Sequence, residues 1–255
     1  MKFQRRLWSG NYDRENFPKF PCPNCKEGLL QHDKNSTKIE EPLYSKKNRD
    51  SEDWEPDWDV ERFKLSLICD SPTCGEIVVV SGETSLTEYY DEENGRWVYE
   101  ALLRPRSFFP APNIISVPEG APEDVLKSIR LASTNFWVDP SASANRLRAS
   151  VEYLLDFLEI AREKVNSTGK PSRLSLNERI AAYEHVNAEH ARSLTALRMI
   201  GNLGSHGDDV HAEALLDAFE VYEDTLEDLC GQRKERLEHL RQKLISTKGD
   251  YSKGY

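Results

Sequence analysis

Two stretches of sequence, Cys22-Pro-Asn-Cys25 and Cys69-Asp-Ser-Pro-Thr-Cys74-Gly75, decide how the first half of this chain folds. A Cys-x-x-Cys turn places two thiolates side by side, and two such turns supply the four sulfur ligands of a tetrahedral zinc ion. Asn24 and Gly75 are residue types that tight turns tolerate well, and strand-like sequence flanks the second stretch, as in zinc ribbons. We therefore predict a structural Zn²⁺ site with four ligands: Cys22, Cys25, Cys69 and Cys74.

The spacing of these cysteines departs from the common zinc-ribbon pattern. The second pair is longer than Cys-x-x-Cys, and residues 26–68 separate the two pairs, against about 15–20 residues in the usual arrangement. A polar stretch at 31–59 accounts for the excess. We expect it to be a mobile insert or to dock through Trp54 and Trp58. The alternatives to a zinc site are that the four thiols are unrelated or that Cys22 and Cys25 form a redox pair.

Apolar residues in the first half follow the patterns of β-strands. Phe63, Leu65 and Leu67 recur at a period of two, which is typical of a half-buried strand. Residues 75–80 form a β-branched run, and residues 97–103 are a third strand candidate. The sequence around the second cysteine pair therefore predicts a small β-rich module.

From Pro122 onward, apolar residues recur at helical spacing. We predict five helices: 122–138, from Ser141 or Ser143 to about 165, 176–186, 188–203, and from Asp208 or Asp209 toward Leu244. Their apolar faces fit an all-α bundle of four or five helices. Cys230 falls on the apolar face of the last helix, and we expect it to be buried as a small apolar residue.

A proline-rich segment at 109–118 separates the two halves. The predicted domains are a zinc-ribbon-like module at 1–115, containing the polar insert at 31–59, and a helical bundle at 121–247. The expected fold class is α+β, with the small β-rich module followed by the all-α bundle.

Charge, hydropathy and missing motifs exclude several classes of function. The 255-residue chain carries a formal charge of -10, so nucleic acid could be bound only by a local basic surface and not by bulk electrostatics. The sequence contains no apolar run long enough to span a bilayer and no signal peptide, so we expect a cytoplasmic protein without membrane association. The motifs of NTPases, dinucleotide enzymes, serine hydrolases and zincins do not occur.

A second chemical signal is Arg198-Met-Ile-Gly-Asn-Leu-Gly-Ser-His206. On a helix Arg198 and Asn202 share a face, because they are four residues apart. Gly201 and Gly204 each lower helix stability by about 1 kcal/mol relative to alanine. A chain tolerates such glycines where another backbone or a ligand comes very close, so we expect a polar, cationic and closely approached face here.

These features together resemble a known family of domains of unknown function. The zinc-ribbon-like start, the proline-rich linker, the helix Arg148-Ala-Ser-Val-Glu152-Tyr-Leu-Leu and the pattern Arg-x-x-Gly-Asn-x-Gly-x-His carry the resemblance. It covers roughly residues 20–30 and 65–235. The family is found alone and fused to type I restriction-enzyme R subunits. It is grouped with the HEPN superfamily of nucleotide-binding helical bundles.

The resemblance implies a prokaryotic host-defence or toxin-like protein with a HEPN-like bundle that acts as a nucleotide-binding, RNA-binding or partner-binding module. It implies a homodimer, with RNA, a nucleotide or a protein of a defence system as further partners. The alternative is a metal-independent endoribonuclease, so enzymatic activity is left open. In that alternative the site lies at a dimer interface, with His206 as the general acid/base and Arg198 holding the scissile phosphate. Asn202 is an orienting polar group of the same site.

Seven residues separate Arg198 from His206, whereas the HEPN nuclease pattern has four to six. A purely structural role is therefore also open: His206 would cap its helix, and Arg198 would pair with Glu152 or Glu189. Arg146 and Arg148, on the second predicted helix, are candidate nucleic-acid contacts or part of a solvated surface. His185 and His190 are expected to be exposed and not to bind a metal.

Overall fold

The computed structural model describes residues 3–8, 10–25, 27–167, 169–205 and 209–248. The chain forms two compact units. The sheet unit comprises Gln4–Ile114 and Arg130–Ser143. The helical unit comprises Phe3, Ile115–Ile129 and the chain from Ala144 onward. The protein is thus of the mixed α+β type.

A four-stranded antiparallel sheet dominates the sheet unit. Its strands are β1 (Leu30–Glu40), β2 (Arg62–Cys69), β3 (Ile77–Asp91) and β4 (Arg96–Phe109), and they pair in chain order. The alternation predicted for β2 is confirmed, since its odd-numbered residues are buried and most even-numbered ones are exposed. An aromatic cluster packs within this unit and includes Trp8, Phe20, Phe108 and Trp137.

The polar stretch at 31–59 is not the mobile insert that its composition suggested. Most of β1 lies in it, followed by the helix α1 (Leu43–Asn48) and a 3-10 turn at Pro56–Trp58. β1 pairs with β2 through a bulge between Asp33 and Lys38. The mobile alternative was wrong for residues 31–40, because β1 is an edge strand, whose exposed side chains can be polar while its backbone completes the sheet. Docking through Trp54 and Trp58 stays a prediction.

Six helices follow: α2 (Glu123–Asn135), α3 (Pro140–Phe157), α4 (Leu176–Glu184), α5 (Ala188–Ser205), α6 (Ala212–Cys230) and α7 (Arg233–Thr247). Ser175 caps α4 in a capping box with Glu178. The core of the helical unit is aliphatic, with two buried aromatic residues of α6, Phe219 and Tyr222. The buried hydroxyls of Tyr222 and Ser150 are hydrogen-bonded at 2.7 Å.

The helical part differs from the predicted all-α bundle in four places. α3 begins at Pro140, before both predicted caps, Ser141 and Ser143. α3 ends at Phe157, and a small hairpin of β5 (Glu163–Val165) and β6 (Pro171–Arg173) follows it. His211 occupies the N-cap position of α6; of the two predicted caps, Asp209 lies before this position and Asp208 lies outside the described residues. α6 also does not continue into α7, because the chain is extended at Gly231.

Within the described part of the chain, no helix is both long and apolar enough to cross a membrane.

Candidate functional site

The four predicted zinc ligands lie together in the sheet unit. Their Sγ atoms are all within 4.8 Å of one another. Cys22 Sγ lies 3.7 Å from Cys74 Sγ, and Cys25 Sγ lies 3.7 Å from Cys69 Sγ. A tetrahedral site with metal–sulfur bonds of about 2.3 Å has sulfur–sulfur edges of about 3.8 Å. The separations match that edge and exceed the roughly 2.05 Å of a disulfide bond.

The first cysteine turn is held by backbone hydrogen bonds at both ends. The Cys22 N–H donates to the carbonyl of Gly28 at 2.9 Å, and the Gly28 N–H donates to Cys25 Sγ at 3.3 Å. A Cβ added at Gly28 would overlap Cys69 Sγ and lie 3.1 Å from a carboxylate oxygen of Asp70. Position 28 therefore needs glycine because the two cysteine pairs meet there.

The second cysteine turn begins where β2 ends. The Cys69 N–H donates to the carbonyl of Glu76 at 2.9 Å, and the Cys74 N–H donates to that of Ser71 at 3.1 Å. Gly75 follows with a φ of 60°, a conformation that glycine adopts without strain. The longer Cys-x4-Cys spacing is thus accommodated by a tight turn and still brings both sulfurs into the cluster.

Asp70 connects the two cysteine turns, and the sequence analysis missed it. Its Oδ1 accepts a hydrogen bond from the Leu29 N–H at 2.8 Å, and its Oδ2 accepts one from the Gln31 side chain at 3.0 Å. The available signal was an acidic residue directly after the first cysteine of the second pair. Asn24 also contributes, since its Nδ2 lies 3.6 Å from Cys74 Sγ.

The environment of the cluster sets the protonation of its thiols. Backbone N–H donors of Gly28 and Glu27 lower the pKa of Cys25 to about 7. Burial raises the pKa of Cys69 to about 12 and also raises that of Cys22. Thiolate is the form that binds a metal. The cluster is the one group of three or more His, Cys, Asp or Glu ligands found among the described residues.

The second candidate site lies on α5 in the helical unit. Arg198 and Asn202 are both half-buried there, whereas His206 lies outside the described residues. A Cβ added at Gly201 would overlap Arg148 Cβ, and it would lie 3.0 Å from Arg148 Cδ and 3.1 Å from the carbonyl oxygen of Ala144. The close approach expected at Gly201 is therefore made by α3.

Arg148 and Arg198 share a feature that Arg179 of the same unit also has. The Nε atom of each is buried and has no hydrogen-bond partner within the described part of the chain. Arg148 also forms an ion pair with Glu152, with Nη2 3.4 Å from Oε1. The ion pairs of the described residues include none between Arg198 and either Glu152 or Glu189. Arg146 is exposed on α3.

The structure also shows how exposed the other candidate residues are: His185, His190 and Cys230. His185 is exposed as expected, but His190 is buried, with Nε2 3.3 Å from a carboxylate oxygen of Asp228. The expectation for His190 was wrong because α6 covers this side of α5. Cys230 is buried, as predicted, and burial raises the pKa of its thiol to about 11.

The fold and the cysteine cluster define a mixed α+β protein with a candidate metal centre. Comparison with known families places two matches along the chain. Residues 10–109 match the domain of unknown function DUF8608, and residues 130–246 match the domain of unknown function DUF4145. Each match spans less than half of the chain. Neither a curated protein nor a solved structure matched the sequence.

Proposed function

We propose that this chain is a zinc-stabilised, HEPN-type protein whose helical unit binds the phosphate groups of a nucleotide or of RNA. The observation that carries the proposal is that the Nε atoms of Arg148 and Arg198 are buried without a partner among the described residues, with Arg148 packed against Gly201, three residues after Arg198 on α5. The resemblance to the HEPN superfamily supplies the ligand class.

The physical argument concerns unsatisfied donors. A buried N–H without a partner costs about 1–3 kcal/mol, and more when the group is charged. In folded proteins almost every buried N–H has a hydrogen-bond partner, which can be a water molecule or an ion. Phosphate oxygens fit, because a guanidinium donates to them in a fixed, planar geometry. Glu152 occupies one nitrogen of Arg148 and leaves its other donors for a ligand.

Mononucleotide binding tests this site. We expect Arg198→Gln to weaken the binding of a mononucleotide, measured by titration calorimetry, by tenfold or more, since a charged hydrogen bond contributes about 1.5–3 kcal/mol. Arg192→Gln is the matched control, because Arg192 is exposed on the same helix and its loss changes the charge equally. Equal binding by the two variants, or no binding by the unmodified protein, would contradict the proposal.

The cysteine cluster is proposed to hold one structural zinc ion. Four sulfur donors at tetrahedral spacing fit this ion and leave no protein-supplied position open for catalysis. We expect one zinc per chain by elemental analysis, and a loss of that zinc in a Cys22→Ser/Cys69→Ser variant. Cys230→Ala is the control and should retain the full metal content. Chelation should unfold the sheet unit and leave the helical unit folded.

The endoribonuclease is the second candidate function, favoured by the partner-free Nε of Arg198 on the helix that also carries Asn202. Cleavage of total RNA by the purified protein, with His206→Ala beside it, tests this alternative. Parallel reactions with and without EDTA are needed because the chelator also removes zinc. Cleavage that leaves cyclic-phosphate ends and disappears in His206→Ala would establish the enzyme.

The homodimer and the host-defence role stay predictions. α7 offers one supporting feature for a dimer, because three exposed leucines recur along it at helical spacing: Leu237, Leu240 and Leu244. The molar mass in solution, measured by light scattering, decides between a monomer and a dimer. Co-purification with a protein of a defence system would support the wider role.

A further inference from the structure

One face of the four-stranded sheet is open to solvent. In β2 the side chains of Phe63, Leu65 and Leu67 are buried, so Arg62 and Lys64 point to the opposite side. Residues directly opposite each other on antiparallel strands share a face. We call this the outer sheet face, and where the four strands pair it comprises Gln31, Asp33, Lys38 and Glu40 of β1, Arg62, Lys64, Ser66 and Ile68 of β2, Ile77, Val79, Ser81 and Glu83 of β3, and Arg104, Arg106, Ser107 and Phe109 of β4.

A cluster of arginines surrounds a single carboxylate on this face. Glu83 is paired across the sheet with Arg62 on one side and Arg104 on the other. Its carboxylate lies 3.8 Å from Arg62, 3.9 Å from Arg104 and 2.6 Å from Arg106. About half of each arginine side chain is exposed. One carboxylate thus gathers three guanidinium groups and neutralises one of them, which leaves a local excess of positive charge.

Lysines extend the positive surface. Lys38 and Lys64 are cross-strand partners in the neighbouring row, and both are exposed. Apart from Glu83, this face as defined above carries two acidic residues, Asp33 and Glu40. Five cationic side chains against three acidic ones are a local positive excess in a chain whose formal charge is -10.

An apolar area adjoins the cations on the same face. Phe109 is 75% exposed and pairs with Val79, while Ile77 pairs with Ile68 next to the cysteine cluster. Phe109 is two residues from Ser107, and Ser107 lies in the same cross-strand row as Ser81 and Lys64. The aromatic ring is therefore one row away from the lysines. Soluble proteins leave such apolar surface open mostly where a ligand or partner binds.

We propose that the outer sheet face binds single-stranded nucleic acid. The cations would neutralise backbone phosphates, and a base would stack on Phe109, as basic surfaces with aromatic platforms do. A duplex keeps its bases stacked and could not use the aromatic ring. An acidic protein segment would match the charge as well, and it is distinguished from nucleic acid in the test below. The surface lies wholly within the sheet unit and shares no residue with the arginine site of the helical unit.

The test is fluorescence anisotropy of the full-length protein with labelled oligouridylate and oligothymidylate, at salt concentrations from about 50 to 200 mM. Arg62→Gln/Arg104→Gln should reduce the slope of log K against log salt by about 1.4, since each lost phosphate contact contributes about 0.7 for a single strand. Phe109→Ala should weaken binding roughly tenfold through lost stacking. Circular dichroism and metal content verify that the variants are folded.

Two further proteins complete the design. Lys46→Gln/Lys47→Gln removes two exposed cations from α1 in the same unit, and it should bind like the unmodified protein. Arg198→Gln, at the proposed phosphate site of the helical unit, separates the contributions of the two sites. Loss in Arg198→Gln with normal binding by the sheet variants would overturn this inference and leave the proposed helical site standing.

Three other results would also overturn it. The first is no oligonucleotide binding at low salt by the unmodified protein. The second is an equal loss in the control lacking Lys46 and Lys47, which would indicate general charge attraction. The third is binding of polyglutamate as tight as that of the oligonucleotides, together with no effect of Phe109→Ala, which would identify an acidic protein partner instead.

Discussion

Replacing Gly201 with alanine should destabilise the helical unit by about 2 kcal/mol, although alanine is the better helix former. The added Cβ would overlap Arg148 Cβ and lie only 3.1 Å from the carbonyl oxygen of Ala144. Carbon atoms pack at about 3.5–4.0 Å, so α3 and α5 would have to move apart by about 1 Å. Overpacking of this kind costs up to about 3 kcal/mol. The gain in helix propensity offsets about 1 kcal/mol of it.

The assay is urea unfolding followed by far-ultraviolet circular dichroism, with linear extrapolation to water. Met199→Ala is the control, because Met199 is 59% exposed on the same helix, and its free energy of unfolding should change by less than about 0.5 kcal/mol. Adding Arg148→Gly removes the overlapping Cβ, so the double variant should be more stable than the sum of the single effects. Stabilisation by Gly201→Ala of about 1 kcal/mol, the value of helix propensity alone, would refute the close contact.

Two further changes test the metal centre and an ion pair of the helical unit. Gly28→Ala should lower metal affinity at least tenfold, since the new Cβ overlaps Cys69 Sγ; metal retention during dialysis against a chelator measures this, and unchanged retention would contradict the contact. The guanidinium groups of Arg162 and Arg179 hold the pKa of Asp156 below its usual value. The resulting stabilisation is present above the ordinary carboxyl pKa and is lost as the pH falls through the folded-state pKa. Asp156→Asn should therefore flatten the acid dependence of unfolding and cost about 3 kcal/mol at neutral pH, because it leaves the buried Arg179 uncompensated; an acid dependence like that of the unmodified protein would argue against this role.

The cysteine cluster was predictable because its signal is local. Each cysteine pair forms its own turn, so spacing along the chain identifies the ligands before the fold is known. Asp70 was not predictable in the same way. Its partners, Leu29 and Gln31, follow the first cysteine turn, 41 and 39 residues earlier in the chain. An acidic residue in a turn does not indicate which distant segment it bonds.

The arginine site was predictable only in part. The glycines of α5 indicated that something approaches the helix closely, but not what. The structure identifies Arg148 of α3 as the neighbour of Gly201. The outer sheet face was missed altogether, because its five cations come from three strands and form no run in the sequence.

By itself, the sequence determined the four cysteines of the cluster, three of the four strands of the sheet and most of the helices. These features depend on hydrophobic periods and cysteine spacings within a few residues, and such patterns follow directly from the geometry of strands, helices and turns. Only the tertiary structure decided that the polar stretch after Leu30 forms an edge strand, that His190 is buried, and that Glu83 gathers three arginines. Those outcomes depend on which segments pack together, and hydrogen bonding or burial by a distant segment can override the polarity of a local stretch.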